Sequence, residues 1–276
     1  MSLLEVDDLR VSFPGKGWRA KPVEVLHGVS LTVAPGETLG LVGESGSGKT
    51  TIGRAVLGLV APSGGDIRFD GTSIAGTSAR DRRRLSRDIQ VVFQDPYTSL
   101  NPSMTIGDIL AEPLVIQGAT AKDARSRVKT LLDQVGLPSD SVERLPREFS
   151  GGQRQRVAIA RALAPEPRLI VCDEPVSALD LSTQARVLDL FVEIQRATGV
   201  AYLFVSHDLS VVRHISHRVA VLYRGDLVET GPAEHVTSTP DHPYTQKLLL
   251  AAPVADPARQ RERRLERRRV LETEAS

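Results

Sequence analysis

Eight residues, Gly43 to Thr50, read GESGSGKT and fit the spacing G-x-x-x-x-G-K-[ST]. That spacing suits the binding of nucleotide phosphates. Glycine at Gly43, Gly46 and Gly48 lets main-chain N–H groups converge on one anion, and Glu44, Ser45 and Ser47 contribute theirs from between. Lys49 is placed to bridge the β- and γ-phosphates, and the hydroxyl of Thr50 to reach Mg²⁺, with Thr51 carrying the turn into a helix. By average residue usage, a chain this long matches the pattern by chance in roughly 1% of cases. The flanking sequence therefore decides.

Before the loop, Thr38–Val42 (TLGLV) is a short, mostly apolar run suited to a buried strand. After it, Thr51–Leu59 (TIGRAVLGL) continues as a helix. Strand, glycine loop and helix N-terminus together make an anion site. A second such terminus lies about a hundred residues on. Ser150, Gly151, Gly152 and Gln153 precede a helix expected over 154–164, with serine as N-cap and two glycines leaving the backbone N–H groups bare.

Carboxylates follow at Leu169–Pro175 (LIVCDEP). Four apolar residues form a buried parallel strand, and Asp173 and Glu174 sit at its C-terminal end, where open α/β sheets bind ligands. Asp173 is placed to hold Mg²⁺ through its water shell, and Glu174 to polarise a water attacking a γ-phosphate. Another apolar run, Ala201–Val205, ends in Ser206-His207-Asp208 and places His207 near the phosphate. Gln94, where the strand Ile89–Phe93 meets Asp95-Pro96, is placed to reach a metal or water. Phe13 and Trp18 are the only aromatics before the glycine loop, so either is a candidate to stack on a base. Cys172, inside an apolar strand, reads as a small buried hydrophobe.

These side chains need a scaffold. Residues 3–13 and 23–33 read as strands, as do 66–69, 219–223 and 227–229. Residues 97–165 read mainly as helix, with 106–117 and 121–135 the clearest segments and Gly136-Leu137-Pro138 as a break. The Arg-rich stretch 79–87 reads as a solvated helix face, and 182–198 as a long amphipathic helix. The pattern is α/β: a parallel sheet with an N-terminal antiparallel β portion and an inserted helical subdomain. Residues 1–253 are expected to form the cassette, with its helical subdomain at about 97–165, and 254–276 a charged tail.

Bulk composition is compatible with this reading. A 276-residue chain with 41% hydrophobic residues, 25% charged residues and net charge +1 reads as globular, with no strong non-specific attraction to nucleic acid. One cysteine rules out an internal disulfide or a cysteine-rich metal cluster. The start, MSLLEVDDLRV, lacks a signal-peptide pattern, and no apolar run approaches the ~18 residues of a membrane span. Arg259 to Glu274 holds seven Arg and four Glu, reading as a solvated helix or a contact for anionic lipid.

Both loops, the Asp-Glu strand, the glutamine and the histidine occur in one order, and together they resemble the ATP-binding subunits of ABC transporters. The resemblance runs from about residue 3 to 253. It implies a P-loop NTPase core with a RecA-like sheet, an ABC ATPase, in which GESGSGKT is the Walker A loop and Gln94 the Q-loop residue. Phe149 to Gln153 becomes the signature motif, Leu169 to Asp173 Walker B with Glu174 as catalytic base, Ser177 to Asp180 the D-loop, and His207 the switch histidine. Phe13 falls where such subunits stack on adenine.

QDPYTSLNP (94–102), EPVSALD (174–180) and His242-Pro243-Tyr244-Thr245 resemble the oligopeptide/dipeptide importer ATPases, and GKTTIGRAVLGL resembles the second ATPase of such pairs. The resemblance implies ATP and Mg²⁺, and an ATP site shared with a second ATPase subunit, different or identical. It also implies two membrane permease subunits, an extracytoplasmic solute-binding protein acting indirectly, no nucleic acid, and a peripheral position on the cytoplasmic side of the inner membrane. The competing class, a soluble ABC ATPase of translation or DNA repair, usually carries two cassettes or a long coiled coil, and neither is present here.

Overall fold

The computed structural model describes residues 2–15, 17 and 21–251; Trp18 and the Arg-rich tail lie outside them. The strands form two sheets. An antiparallel sheet contains β1 (Leu4–Phe13), β2 (Val23–Val33), β4 (Gly64–Phe69) and β5 (Thr72–Ser73), in the order β2-β1-β4-β5. The larger sheet contains β3 (Thr38–Val42), β6 (Ile89–Val92), β7 (Leu169–Asp173), β8 (Ala201–Val205), β9 (Arg218–Tyr223) and β10 (Asp226–Pro232), in the order β10-β9-β3-β8-β7-β6. All its neighbours pair in parallel except β10, which is antiparallel to β9.

The apolar runs explain the larger sheet. Every residue of β3 and β8 is buried, as expected of strands covered on both faces. Alternation then sorts the side chains. Leu39, Leu41, Leu169, Val171, Leu203 and Val205 pack toward the antiparallel sheet and α1 (Lys49–Val56), whereas Ile170, Cys172, Tyr202 and Phe204 pack toward the helices. Cys172 is fully buried, and that burial pushes its thiol pKa well up, as befits a hydrophobe.

The helical face is built from α3 (Pro96–Ser99), α4 (Ile106–Ile116), α5 (Ala121–Gln134), α6 (Gly151–Leu163) and α7 (Leu181–Thr198). Val128, Leu131 and Leu132 of α5, spaced on one face, join Ile159 of α6 and Phe191 of α7 in a single core cluster. Around the edges lie α2 (Ala79–Leu85), α8 (Leu209–Ile215), α9 (Ala233–Ser238) and α10 (Pro243–Ala251).

Two helix ends and the burial of one helix depart from the sequence reading for reasons the structure shows. α1 stops at Val56 rather than Leu59 because Gly58 turns left-handed: its N–H donates to Ala55 O, and that of Leu59 to Arg54 O, closing a Schellman motif. α6 begins at Gly151 rather than Arg154, so Gly151, Gly152 and Gln153 are themselves its first turn. α2 is not wholly solvated. Arg82 turns inward, donating from Nη1 to Val56 O (3.0 Å) and from Nη2 to Ile74 O (2.7 Å).

Candidate functional site

The parallel strands deliver their following residues to one edge. β3 ends into Gly43, β8 into Ser206-His207, β7 into Glu174, and β6 into Phe93-Gln94. Since β3 neighbours β8, β8 neighbours β7, and β7 neighbours β6, the segments stand side by side at the C-terminal edge. This is where an open α/β sheet accepts ligands.

The glycine loop is shaped by close approach. A Cβ on Gly43 would come within 2.1 Å of the Leu222 carbonyl, and one on Gly48 within 2.6 Å of Leu26 Cδ2. Gly48 sits at φ 108°, a left-handed conformation that L side chains resist, and from it α1 starts at Lys49. Lys49 is buried, and its Nζ donates to Gly43 O (2.7 Å) and Glu44 O (2.8 Å). Burial lowers its pKa, while Glu174, Asp173 and Glu44 oppose the shift. The Ser47 hydroxyl is buried and makes no hydrogen bond among the described residues, a donor that a phosphate oxygen would satisfy. Ser45 and Gly46 are exposed on the loop's outer turn, and Thr51 lies in the first turn of α1.

Thr50 meets Asp173 across the sheet edge, its hydroxyl donating to Oδ1 at 2.9 Å. Asp173 is half-buried. Burial raises its pKa above the ordinary carboxylate value, against the lowering effects of the Thr50 hydrogen bond and the charge of Arg54. A hydroxyl and a desolvated carboxylate are hard oxygen donors, and a divalent cation would relieve that desolvation. The pair therefore fits Mg²⁺. Glu174 leaves β7 at φ 48°, a left-handed backbone made more unusual by the following proline, which favours extended conformations. Its N–H donates to Val205 O (3.0 Å), and its carbonyl accepts from both the amide and the hydroxyl of Ser177. So held, its carboxylate faces His207, with Nδ1 3.0 Å from Oε2.

The other sequence candidates stand apart from this cluster. Ser150 caps α6 reciprocally with Gln153: the Ser150 hydroxyl accepts the Gln153 N–H, and Gln153 Oε1 accepts the Ser150 N–H. None of their hydrogen bonds among the described residues reaches the glycine loop. Asp180 caps α7, accepting from the Ser182 hydroxyl (2.7 Å), Ser182 N (3.1 Å) and Thr183 N (3.0 Å), and these bonds, those from Ser182 foremost, hold its pKa far below the usual carboxylate range. Gln94 is exposed two residues past Val92, level with the Glu174 end of β7. Phe13, 40% exposed, ends β1 opposite Val23, two residues along β2 from Val25, whose carbonyl faces Gly48.

Two contacts to the loop are new. Gly225, in the β9–β10 turn, donates its N–H to Ser47 O (3.0 Å), and Glu44 donates its N–H to the Tyr244 hydroxyl (3.0 Å). The motif around Tyr244 stood out in the sequence only as a resemblance, with no contact attached to it.

Comparison with known proteins decides the family. The ABC transporter family matches residues 26–177, more than half of the chain. This chain belongs to the ABC transporter family. The C-terminal region of oligopeptide/dipeptide transporters matches residues 228–276. The glutathione import ATP-binding protein GsiA of Escherichia coli K12 is 54% identical to this ABC family member over 246 residues, covering 89% of this chain and 40% of that protein. The protein of the same name from Pectobacterium atrosepticum is 50% identical over 262 residues, covering 93% and 42%. The chain thus spans well under half the length of these curated relatives.

Among solved structures, cbiO1 of Clostridium perfringens, part of the ABC transporter complex cbiONQ, aligns with TM-score 0.77 at 27% identity, covering 86% of this chain and 91% of that one. The dimeric ATP-binding cassette MJ0796, bound to ADP and Pi, aligns with TM-score 0.74 at 27% identity, covering 83% and 98%. The fold is that of an ABC ATPase cassette, as the motif order implied.

Proposed function

We propose that this chain is the ATP-hydrolysing subunit of an ABC importer for peptides or related small solutes. The observation that carries the reading is the convergence of Lys49, Thr50, Asp173, Glu174 and His207 on one sheet edge. The relatives named for glutathione import, glutathione being a tripeptide, and the match to the oligopeptide/dipeptide transporter region support the solute class.

Residues 43–51 form the phosphate cradle, with Lys49 neutralising the β- and γ-phosphates and Phe13 against the adenine. Thr50 and Asp173, with Gln94, would hold Mg²⁺, which would supply charge neutralisation to the phosphates. Glu174 Oε2 orients the attacking water and takes its proton, while His207 holds the glutamate in place and faces the γ-phosphate. Ser150, Gly151, Gly152 and Gln153 close over ATP held by another subunit, with Asp180 at the subunit junction. The separation of α6 from the glycine loop within one chain supports this sharing, as does the dimeric state of MJ0796.

ATP then acts as a reversible clamp between two cassettes, each comprising residues 1–253 with the helical block 97–165 transmitting the change. Partners are a second ATPase, with this chain the second member of the pair, two membrane permeases, and a solute-binding protein acting indirectly. No described helix is long and apolar enough to cross a membrane. Attachment to the cytoplasmic face of the inner membrane is through the permeases in this reading.

The test is a pair of variants. Lys49→Ala should lose tight ATP binding in a nucleotide titration. Glu174→Gln should bind ATP, accumulate as a dimer by light scattering, and hydrolyse about 10²–10⁴-fold more slowly. Hydrolysis at the parental rate by Glu174→Gln would remove the base assignment, and co-purification with ribosomes rather than membrane subunits would remove the importer.

A further inference from the structure

The segment after β10 is built with unusual care around a single tyrosine. Glu229 of β10 accepts the N–H groups of Asp241 (2.9 Å) and His242 (3.2 Å), which fixes the approach to α10. His242 Nδ1 accepts the Tyr244 N–H (3.2 Å), and Gln246 Nε2 donates to Pro240 O (3.0 Å). The Tyr244 ring packs on that of Tyr223, at the end of β9, with centroids 4.2 Å apart. Tyr244 is only 9% exposed, and burial raises its pKa above the ordinary phenol value, so the hydroxyl is neutral at physiological pH.

All of this positions one oxygen, which accepts the N–H of Glu44 from 200 residues away in sequence. The same Glu44 presents its carbonyl to Lys49 Nζ (2.8 Å) and to the Ser47 N–H (3.2 Å). One residue of the glycine loop is thus held at its amide by α10 and at its carbonyl holds the lysine. Leu222 O and Leu26 Cδ2 close around Gly43 and Gly48 and set the loop's outline, and the Gly225 N–H holds the loop at Ser47 O (3.0 Å).

We propose that Tyr244 is a positioning residue for the phosphate loop, tying the C-terminal region to nucleotide affinity through the Glu44 peptide. The inference rests on the reading of Gly43–Thr51 as an ATP site. Without the hydroxyl, the Glu44 amide loses its anchor, the loop samples more conformations, and ATP must order it on binding.

The full-length chain tests this with Tyr244→Phe, which removes one oxygen and keeps the ring, and Tyr244→Leu, which removes both. Hydrogen exchange should show faster exchange at the Glu44 amide in both variants, and titration with Mg-ATP should show affinity about three- to tenfold weaker in both. Melting temperature should fall clearly only in Tyr244→Leu, where the ring stack is lost. Parental affinity and parental Glu44 exchange in Tyr244→Phe, with losses confined to Tyr244→Leu, would reduce Tyr244 to a packing residue and overturn the inference. Lys49→Ala in the same titration separates the two readings. If it binds ATP like the parent, the ATP site itself fails; if it loses ATP while Tyr244→Phe does not, only the positioning role fails.

Discussion

His207 Nδ1 lies 3.0 Å from Glu174 Oε2, although the two side chains leave different strands and the histidine is 53% exposed against 17% for the glutamate. The left-handed backbone at Glu174, pinned through its N–H to Val205 O, is what turns the carboxylate along the sheet edge toward the histidine. A partly buried acid with an exposed partner suits a base that must be oriented before substrate arrives. His207→Ala should therefore leave ATP binding within about threefold of the parent while lowering hydrolysis by about 10²-fold or more. Phosphate release measured beside a nucleotide titration checks it, and equal losses in both would mean that the histidine serves binding rather than turnover.

Asp173 carries a different signature. Its pKa is raised in the fold, mainly by burial, so the native state holds a proton more tightly than the unfolded chain does. Stability then falls as pH rises from the unfolded value through the folded one, and at neutral pH the full burial penalty is in force. Asp173→Asn removes that penalty and still offers an oxygen to the Thr50 hydroxyl. The nucleotide-free variant should melt about 2–4 °C higher than the parent at pH 7, with the advantage shrinking toward pH 4, while Mg²⁺-dependent hydrolysis is lost. A lower melting temperature at pH 7 would show that the charge stabilises the fold instead.

Much of this was legible in the sequence because it is local. The runs TLGLV, LIVCD and AYLFV are buried strands because five apolar-rich residues between turn signals have few alternatives, and residues following a parallel strand necessarily arrive at one edge. Ser150 as N-cap was readable for the same reason. The helix start three residues early was not, because two glycines argue against helix until the reciprocal Ser150–Gln153 bonds close the first turn. Contacts between distant segments carry no local signature. Tyr244 reaches Glu44 over 200 positions, and Arg82 reaches Val56 over 26. An arginine in a run of arginines reads as solvated until the fold supplies carbonyls for it.

That arginine supports the helix behind the glycine loop. Its guanidinium lies over Gly58, where a Cβ would come within 2.3 Å of Cζ, and it satisfies carbonyls at Val56, the end of α1, and at Ile74. Burial lowers its pKa only from a very high starting value, so it remains a cation. Arg82→Ala should cost about 1–3 kcal/mol by stranding the Val56 carbonyl, while Ile74 O keeps the Thr77 hydroxyl (3.0 Å), and Arg82→Lys should recover only part, since one ammonium lacks the planar fork that spans both carbonyls. Urea unfolding of the three proteins checks the ranking; an alanine variant as stable as the parent would show that water replaces the guanidinium without loss.

Gly152 offers a test that separates packing from function within the signature turn. In the first turn of α6 it faces α7, where a Cβ would come within 2.2 Å of Thr183 Cγ2, a contact that demands displacement of one helix against the other. Thr183 is β-branched and fixed at the start of α7, where Asp180 accepts its N–H, so it yields little. Gly152→Ala should therefore destabilise the chain by about 1–3 kcal/mol through overpacking. Thr183→Ser deletes the offending methyl and keeps the hydroxyl, so the double variant should regain most of that loss in urea unfolding. If glycine is needed only for helix packing, the double variant will also regain ATP hydrolysis in the dimer. If the bare backbone at residue 152 closes over a neighbouring subunit's ATP, stability will return while hydrolysis stays low, because the added methyl still stands at the mouth of the α6 N-terminus.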